Sequence, residues 1–320
     1  AEIARMTRIP PVIVGATIVS TATSFPEFMV SLTGTLAGSA EFAVGNAIGS
    51  CLCNIGLIVG VCAVVRGFLA KRRGLTPGIA ADRGMLKGPG MFMLVSSILL
   101  FAFSVFATGG AELDETPTRF GIARWQAVIL FIGMFWYLGY SIRAARLARY
   151  ESSLLQDAEP HVVTTSEVVK ASMMFMVATI VVVLGSRMLV SNGEAIALRM
   201  GVPKLVLGLT LFAVGTSLPE LTISLIAVLK GHEALGLGNI IGSNLFNTLG
   251  VLGLPGLIHP GPIEESVLTR DGPVMMGVLA LFWLLALAPK RGRVGRLGGA
   301  LLCLAFAAHV AWIATETFGD

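Results

Sequence analysis

The sequence predicts an all-α membrane protein built from two inverted-topology repeats, a ten-helix (5+5) plan of which nine spans are present. Three observations predict it. The 320-residue chain is 55% hydrophobic and 13% charged, with a mean hydropathy of +0.82, where a soluble domain is about 25% charged. Nine apolar runs approach or exceed the ~20 residues that a bilayer crossing needs. One polar segment also occurs twice inside those runs, at a constant offset of 193 (208 − 15), with 18 of 46 aligned positions identical.

The runs fall near 11–36, 42–65, 89–108, 122–142, 168–190, 204–229, 235–258, 272–288 and 295–315. The first two hold GATIVSTATSFPEFMVS and GNAIGSCLCNIGLIVG; the sixth and seventh hold GLTLFAVGTSLPELTIS and GNIIGSNLFNTLGVLG. Residues 194–207 align with 1–14, so the run at 168–190 has no counterpart before Ala1, and one helix is expected to precede it. The expected division is a first repeat over 1–150 lacking its first helix, a cytoplasmic linker over 151–167 and a second repeat over 168–320.

Loop charge sets orientation. The loop after the second run carries Arg66, Lys71, Arg72, Arg73, Arg83 and Lys87, and the loop before the last carries Lys290, Arg291, Arg293 and Arg296. Both are expected inside. The loops 109–121 and 259–271 are acidic (Glu112, Asp114, Glu115; Glu264, Glu265, Asp271) and are expected outside, which leaves the C-terminus outside. The repeats lie five spans apart, an odd number, so they cross in opposite senses. This is the inverted plan of secondary transporters, whose sites lie near the midplane between the halves.

The four cysteines, three of them in one apolar run, match neither a disulfide framework nor a zinc site and are read as small packing residues. His309, lone in the last run, is read the same way, and the four tryptophans as interfacial or lipid-facing bulk.

The repeated segment holds the chemistry. A carboxylate deep in a membrane is costly, and Glu27 and Glu220 occupy matched positions one residue after mid-span prolines, Pro26 and Pro219. Proline there removes a backbone hydrogen bond and breaks the helix, a geometry tolerated at this depth only where protein or a polar cavity satisfies the backbone. Thr23, Ser24 and Glu27, like Thr216, Ser217 and Glu220, share one helical face, which Ser31 and Ser224 extend. The partner runs carry Asn46, Ser50 and Asn54, and Asn239, Ser243 and Asn247, spaced by four. Gly45/Gly49 and Gly238/Gly242 are small-xxx-small pairs that permit close helix approach. Carboxylate, hydroxyl, amide and carbonyl oxygens suit hard cations such as Ca²⁺ or Na⁺.

With these motifs the chain resembles the sodium/calcium exchanger group of the cation/Ca²⁺ exchanger superfamily, in its prokaryotic form. The two segments look like that group's α-repeats, with their TSxPE and GNxIGS motifs. The resemblance implies ion ligands at Thr23, Ser24, Glu27, Ser50 and Asn54, and at Thr216, Ser217, Glu220, Ser243 and Asn247, with backbone carbonyls at Ser20 and Ala213. It implies ten helices and alternating access by sliding of the first and sixth, the latter corresponding here to 168–190. The amide at Asn247, where some relatives have Asp, implies potassium-independent exchange with only Glu27 and Glu220 charged.

The expected function is Na⁺-driven Ca²⁺ exchange in a prokaryotic plasma membrane. The partners are the lipid bilayer, Ca²⁺ and Na⁺; no cofactor, nucleic acid or obligate protein partner is expected. A Ca²⁺/H⁺ antiporter is the alternative, with the two glutamates releasing Ca²⁺ on protonation. A cation channel is remoter, because two deep carboxylates in a Gly-packed site favour binding over rapid passage. An intramembrane enzyme is disfavoured, since no Ser–His or Cys–His set accompanies the carboxylates.

Overall fold

The computed structural model describes residues 9–36, 40–74, 76–81, 83–106, 121–154, 213–258, 260–262, 265–288 and 292–318, with short stretches and single positions between 166 and 199. Among the described residues, seven helices are long and apolar enough to cross a bilayer: Pro11–Thr33, Ala43–Ala70, Arg83–Val105, Arg124–Ala148, Glu233–Ile258, Val267–Leu287 and Arg296–Glu316. They correspond to seven of the nine expected runs. The run at 204–229 is described from Ala213 onward, as the helices Ala213–Thr216 and Leu218–Leu229. The run at 168–190 is described in part, as helix at 169–170, 172–174, 176–181, 184–185 and 188, and most of the expected linker lies outside the described residues. The helix expected over 122–142 continues to Leu154.

The helices carry their large apolar side chains on both faces. Ile58, Leu130, Phe282 and Leu302 are fully buried between helices, while Ile132, Trp136, Leu284 and Leu304 are more than half exposed. An outward face of that kind is stable against lipid. Trp125 and Trp312 are also exposed, as expected of interfacial bulk, whereas the Trp283 ring packs inward against Gly90.

Two short antiparallel strand pairs, which hydrophobic periodicity could not reveal, join the repeats. Strand β1 (Ile79–Ala80) pairs with β4 (Arg293–Val294), and β2 (Gly121–Ile122) pairs with β3 (Gly261–Pro262). Helix Val267–Leu287 leads from β3 to β4, and its 21 residues span roughly 30 Å. The pairs therefore lie at opposite ends of the molecule. Ala43–Ala70 runs toward the β1–β4 end, and its counterpart Glu233–Ile258 runs toward the β2–β3 end, so the repeats are inverted. Arg66 and Arg293 of the two basic loops lie together at the β1–β4 end.

An ion-pair cluster closes each end. At the β1–β4 end, Glu233 takes Arg66 at 2.5 Å, Arg293 and the Ala80 N–H at 3.0 Å. At the other end, Arg270 forks onto both oxygens of Asp271 (2.8 and 3.1 Å) and reaches Glu316 at 2.6 Å. His309 is not the lone residue that the sequence suggests, because its Nε2 lies 3.2 Å from Asp271 Oδ1.

Glycines set the closest crossings. A Cβ at Gly242 would lie 2.5 Å from the Ala16 carbonyl, and one at Gly238 would lie 2.5 Å from that of Val12. The second repeat's small-xxx-small pair thus seats Glu233–Leu245 directly on the backbone of the first repeat. Gly45 has no such contact: nothing described lies within 4 Å of a Cβ there. The residue equivalent to Val12 is 205 (12 + 193), which falls outside the described residues. All four cysteines are free thiols, and Cys303 Sγ packs against Gly60.

Candidate ion-binding site

Both proline motifs break their helices in the same way. Ser24 ends Ser20–Thr23 with φ −85° and ψ 4°, and Ser217 follows Ala213–Thr216 with φ −85° and ψ 5°. The helix resumes at Phe25 and at Leu218, with Pro26 and Pro219 in its first turn, where a missing N–H costs nothing. Proline therefore starts a new half-helix, and Glu27 and Glu220 stand in that first turn. Helix N-termini favour negative charge.

The partner helices also deviate at matched positions. Ala40–Leu52 gives way to a π-helical stretch at Cys53–Val59, and Glu233–Leu245 to one at Phe246–Val251. Both stretches start at equivalent residues (246 − 53 = 193). Asn54 and Asn247 are the second residue of each. Such bulges re-aim side chains and are frequent at functional sites.

The two carboxylates are fully buried, and each takes a hydroxyl from the opposite repeat. Ser24 Oγ donates to Glu220 Oε1 at 3.0 Å, and Ser217 Oγ donates to Glu27 Oε1 at 3.4 Å. Ser243 Oγ adds a second donor to Glu220 Oε1 at 3.3 Å. Oε2 of each glutamate has no partner among the described residues, and neither glutamate joins an ion pair there. Two buried carboxylates without counter-charge are costly unless a cation compensates them.

The other predicted residues gather around this pair. Thr23 is fully buried, donates to Asn239 Oδ1 at 3.3 Å and lies 3.4 Å from Ser243 Oγ. Thr216 is likewise buried. Ser50 Oγ, Asn54 Oδ1 and both polar atoms of Asn247 are buried without a described partner. The Ser20 carbonyl already accepts from Ser24 N at 2.9 Å and Thr23 Oγ1 at 3.2 Å. Ala213 opens its helix one turn before the second break.

Asn46 and Asn239 do other work. Their amides donate to Ser31 Oγ (2.9 Å) and Ser224 Oγ (3.0 Å), fastening each broken helix to its partner. Two contributors escaped the sequence reading. Tyr137, fully buried, donates to the Ala16 carbonyl at 2.7 Å in the π-helical stretch Gly15–Val19. Asn244, 2% exposed, accepts from Asn54 at 2.9 Å. Its repeat counterpart is Cys51, so the search for identical positions passed over it.

Comparison with known proteins decides the family. Residues 1–143 and 170–315 match the family described as sodium/calcium exchanger protein. The chain belongs to this family. It is therefore a membrane transporter and not an enzyme. The putative antiporter CaxA of Alkalimonas amylolytica is 34% identical over 308 residues, covering 96% of this chain and 89% of the relative. The sodium/calcium exchanger MaX1 of Methanosarcina acetivorans is 29% identical over 298 residues, covering 87% and 82%. Among solved structures, the sodium-calcium exchanger NCX_Mj soaked with Na⁺ superposes with a TM-score of 0.74 at 26% identity, covering 97% of this chain and 90% of that one.

Proposed function

We propose that this exchanger-family protein moves Ca²⁺ against Na⁺ at one site between its inverted repeats. The crossed pairing carries the proposal: each buried glutamate is held by the other repeat's serine, with one carboxylate oxygen left over. Glu27 and Glu220 supply a charge of about −2, which one Ca²⁺ or two Na⁺ neutralise. Around them the ligands are the oxygens of Thr23, Ser24, Ser50 and Asn54 and of Thr216, Ser217, Ser243 and Asn247, with the Ser20 and Ala213 carbonyls. An all-oxygen set of this kind favours hard cations.

Exchange follows from shared oxygens. Ca²⁺ and Na⁺ both need the glutamates, so the site holds one kind of ion at a time. Alternating access, through movement of the helix at 168–190 against the repeat core, then couples the two fluxes. The proposed division is a first repeat over 1–150, a linker over 151–167 and a second repeat over 168–320. The proposed orientation places the basic β1–β4 end inside and the C-terminus outside, in a prokaryotic plasma membrane. The names of MaX1 and NCX_Mj, both sodium/calcium exchangers, support Na⁺ as the coupling ion.

Equilibrium ⁴⁵Ca²⁺ binding to the purified protein, titrated with NaCl and with choline chloride, tests the shared site. Na⁺ is expected to displace Ca²⁺ with a Hill coefficient above one, and choline not to displace it. Ca²⁺ binding indifferent to Na⁺ would refute the proposal.

A further inference from the structure

One of the matched positions at which the repeats differ lies beside the site. Cys51 and Asn244 are counterparts (244 − 51 = 193), and they meet across the repeat interface. Asn244 Nδ2 donates to the Cys51 carbonyl at 3.5 Å, and the Cys51 thiol lies 3.8 Å from the Asn244 carbonyl. Asn244 is thereby anchored, and its Oδ1 accepts from Asn54 Nδ2 at 2.9 Å. That bond occupies the NH₂ of Asn54. The end left without a described partner is Oδ1, the only end of an amide that a cation can use.

The operation that carries Asn54 onto Asn247 carries Asn244 onto Cys51. A thiol is a weak donor and a weak acceptor, and this one is directed at the Asn244 carbonyl. Asn247 accordingly has no described partner at Nδ2 or at Oδ1, although it is fully buried. Among the described residues, one of two matched amides is held, and the other is not.

We propose that Asn244 is a positioning residue that fixes the Asn54 oxygen as a permanent ligand, while Cys51 leaves the Asn247 amide to turn, so that the halves of the ion site are unequal. This rests on the ion site proposed above. A fixed ligand needs no ordering when the ion arrives, whereas ordering a free side chain weakens binding by between about two- and tenfold. A divalent ion pulls a carbonyl dipole about twice as hard as a monovalent one. Asn247 therefore turns its oxygen inward more readily for Ca²⁺ than for Na⁺ and contributes to discrimination between them, while Asn54 contributes to both.

The test is ⁴⁵Ca²⁺ binding to the purified protein in three backgrounds: native, Asn244→Cys, and the swap Cys51→Asn with Asn244→Cys. Asn54→Ala and Asn247→Ala are made in each. In the native background Asn54→Ala is expected to weaken binding at least threefold more than Asn247→Ala. Asn244→Cys should erase that difference, and the swap should reverse it, a pattern that a purely structural role for Asn244 would not produce. Equal losses in the native background, or an unchanged order after Asn244→Cys, would overturn the proposal. If the swap fails to fold, the Asn244→Cys background, a change of similar side-chain size, still decides. Glu220→Gln, measured alongside, separates the two readings. Retained Ca²⁺ binding in Glu220→Gln removes the ion site itself. Loss of binding there, with the asparagine order unaffected, removes only the positioning role.

Discussion

Ser24 of the first repeat donates its hydroxyl to Glu220 of the second at 3.0 Å. The matching bond runs the other way, from Ser217 to Glu27. Each half of the site is thus completed by the other half: Ser217 supports Glu27, and Ser24 joins Ser243 of the second repeat in supporting Glu220. A site built across the interface of two inverted units is also exposed to any movement of one unit against the other, which is what alternating access requires.

That crossing has an energetic signature. A hydrogen bond to a charged group is worth about 1.5–3 kcal/mol, so Ser24→Ala should weaken Ca²⁺ binding by about tenfold or more. In a double-mutant cycle, Ser24→Ala and Glu220→Gln should be strongly non-additive. Ser24→Ala with Glu27→Gln, which share no bond, should come closer to additivity. Isothermal titration of Ca²⁺ into the four proteins of each cycle reads both couplings.

Charge, not shape, is what the two glutamates contribute. Glu27→Gln and Glu220→Gln keep the side-chain volume and remove about one unit of compensating charge each. Ca²⁺ binding should fall by about 100-fold or more in either variant, given the cost of a divalent ion in a site left undercompensated. Thermal unfolding without Ca²⁺ or Na⁺ should show equal or higher stability, because a buried carboxylate without a counter-charge has been removed.

The glycine crossing makes a separate prediction about the fold. In Gly242→Ala the new Cβ would meet the Ala16 carbonyl at 2.5 Å and Ser20 Oγ at 2.4 Å. Forcing those helices apart should cost about 1–3 kcal/mol and shift the residues around the first helix break. Gly277→Ala, where nothing described lies within 4 Å, should leave the melting temperature unchanged or raise it, since alanine favours a helix over glycine. Parallel thermal-shift measurements compare the two.

At the β1–β4 end, Glu233 is the shared acceptor for Arg66, Arg293 and the Ala80 N–H. Glu233→Ala strands Arg66, which is 7% exposed, without its counter-charge. Removing one partner of a buried ion pair costs about 3–5 kcal/mol. The expected outcome is a large drop in melting temperature and a loosened strand pair, read as faster amide exchange at Ile79 and Ala80.

Much of this architecture could be read from the residues because it is written twice. The fixed offset picked out Glu27, Glu220 and their hydroxyl neighbours, and the prolines marked where each helix would break. What escaped the reading depends on differences or on backbone. Asn244 is matched by Cys51, so a search for identity could not find it. The strand clamps are two residues long and leave no periodicity. The π-helical stretches that contain Asn54 and Asn247 are set by local winding, which apolar spacing does not encode. Ser31 and Ser224 share the face of the glutamates, yet tertiary contact turns them toward Asn46 and Asn239.

The most direct test is ⁴⁵Ca²⁺ uptake into liposomes holding the purified protein, driven in separate samples by an outward Na⁺ gradient and by an outward proton gradient. Uptake driven by Na⁺ alone, and abolished by Glu220→Gln, is the predicted result. Uptake driven by protons alone, or equal Na⁺-driven uptake in native protein and Glu220→Gln, would contradict Na⁺/Ca²⁺ exchange at this site.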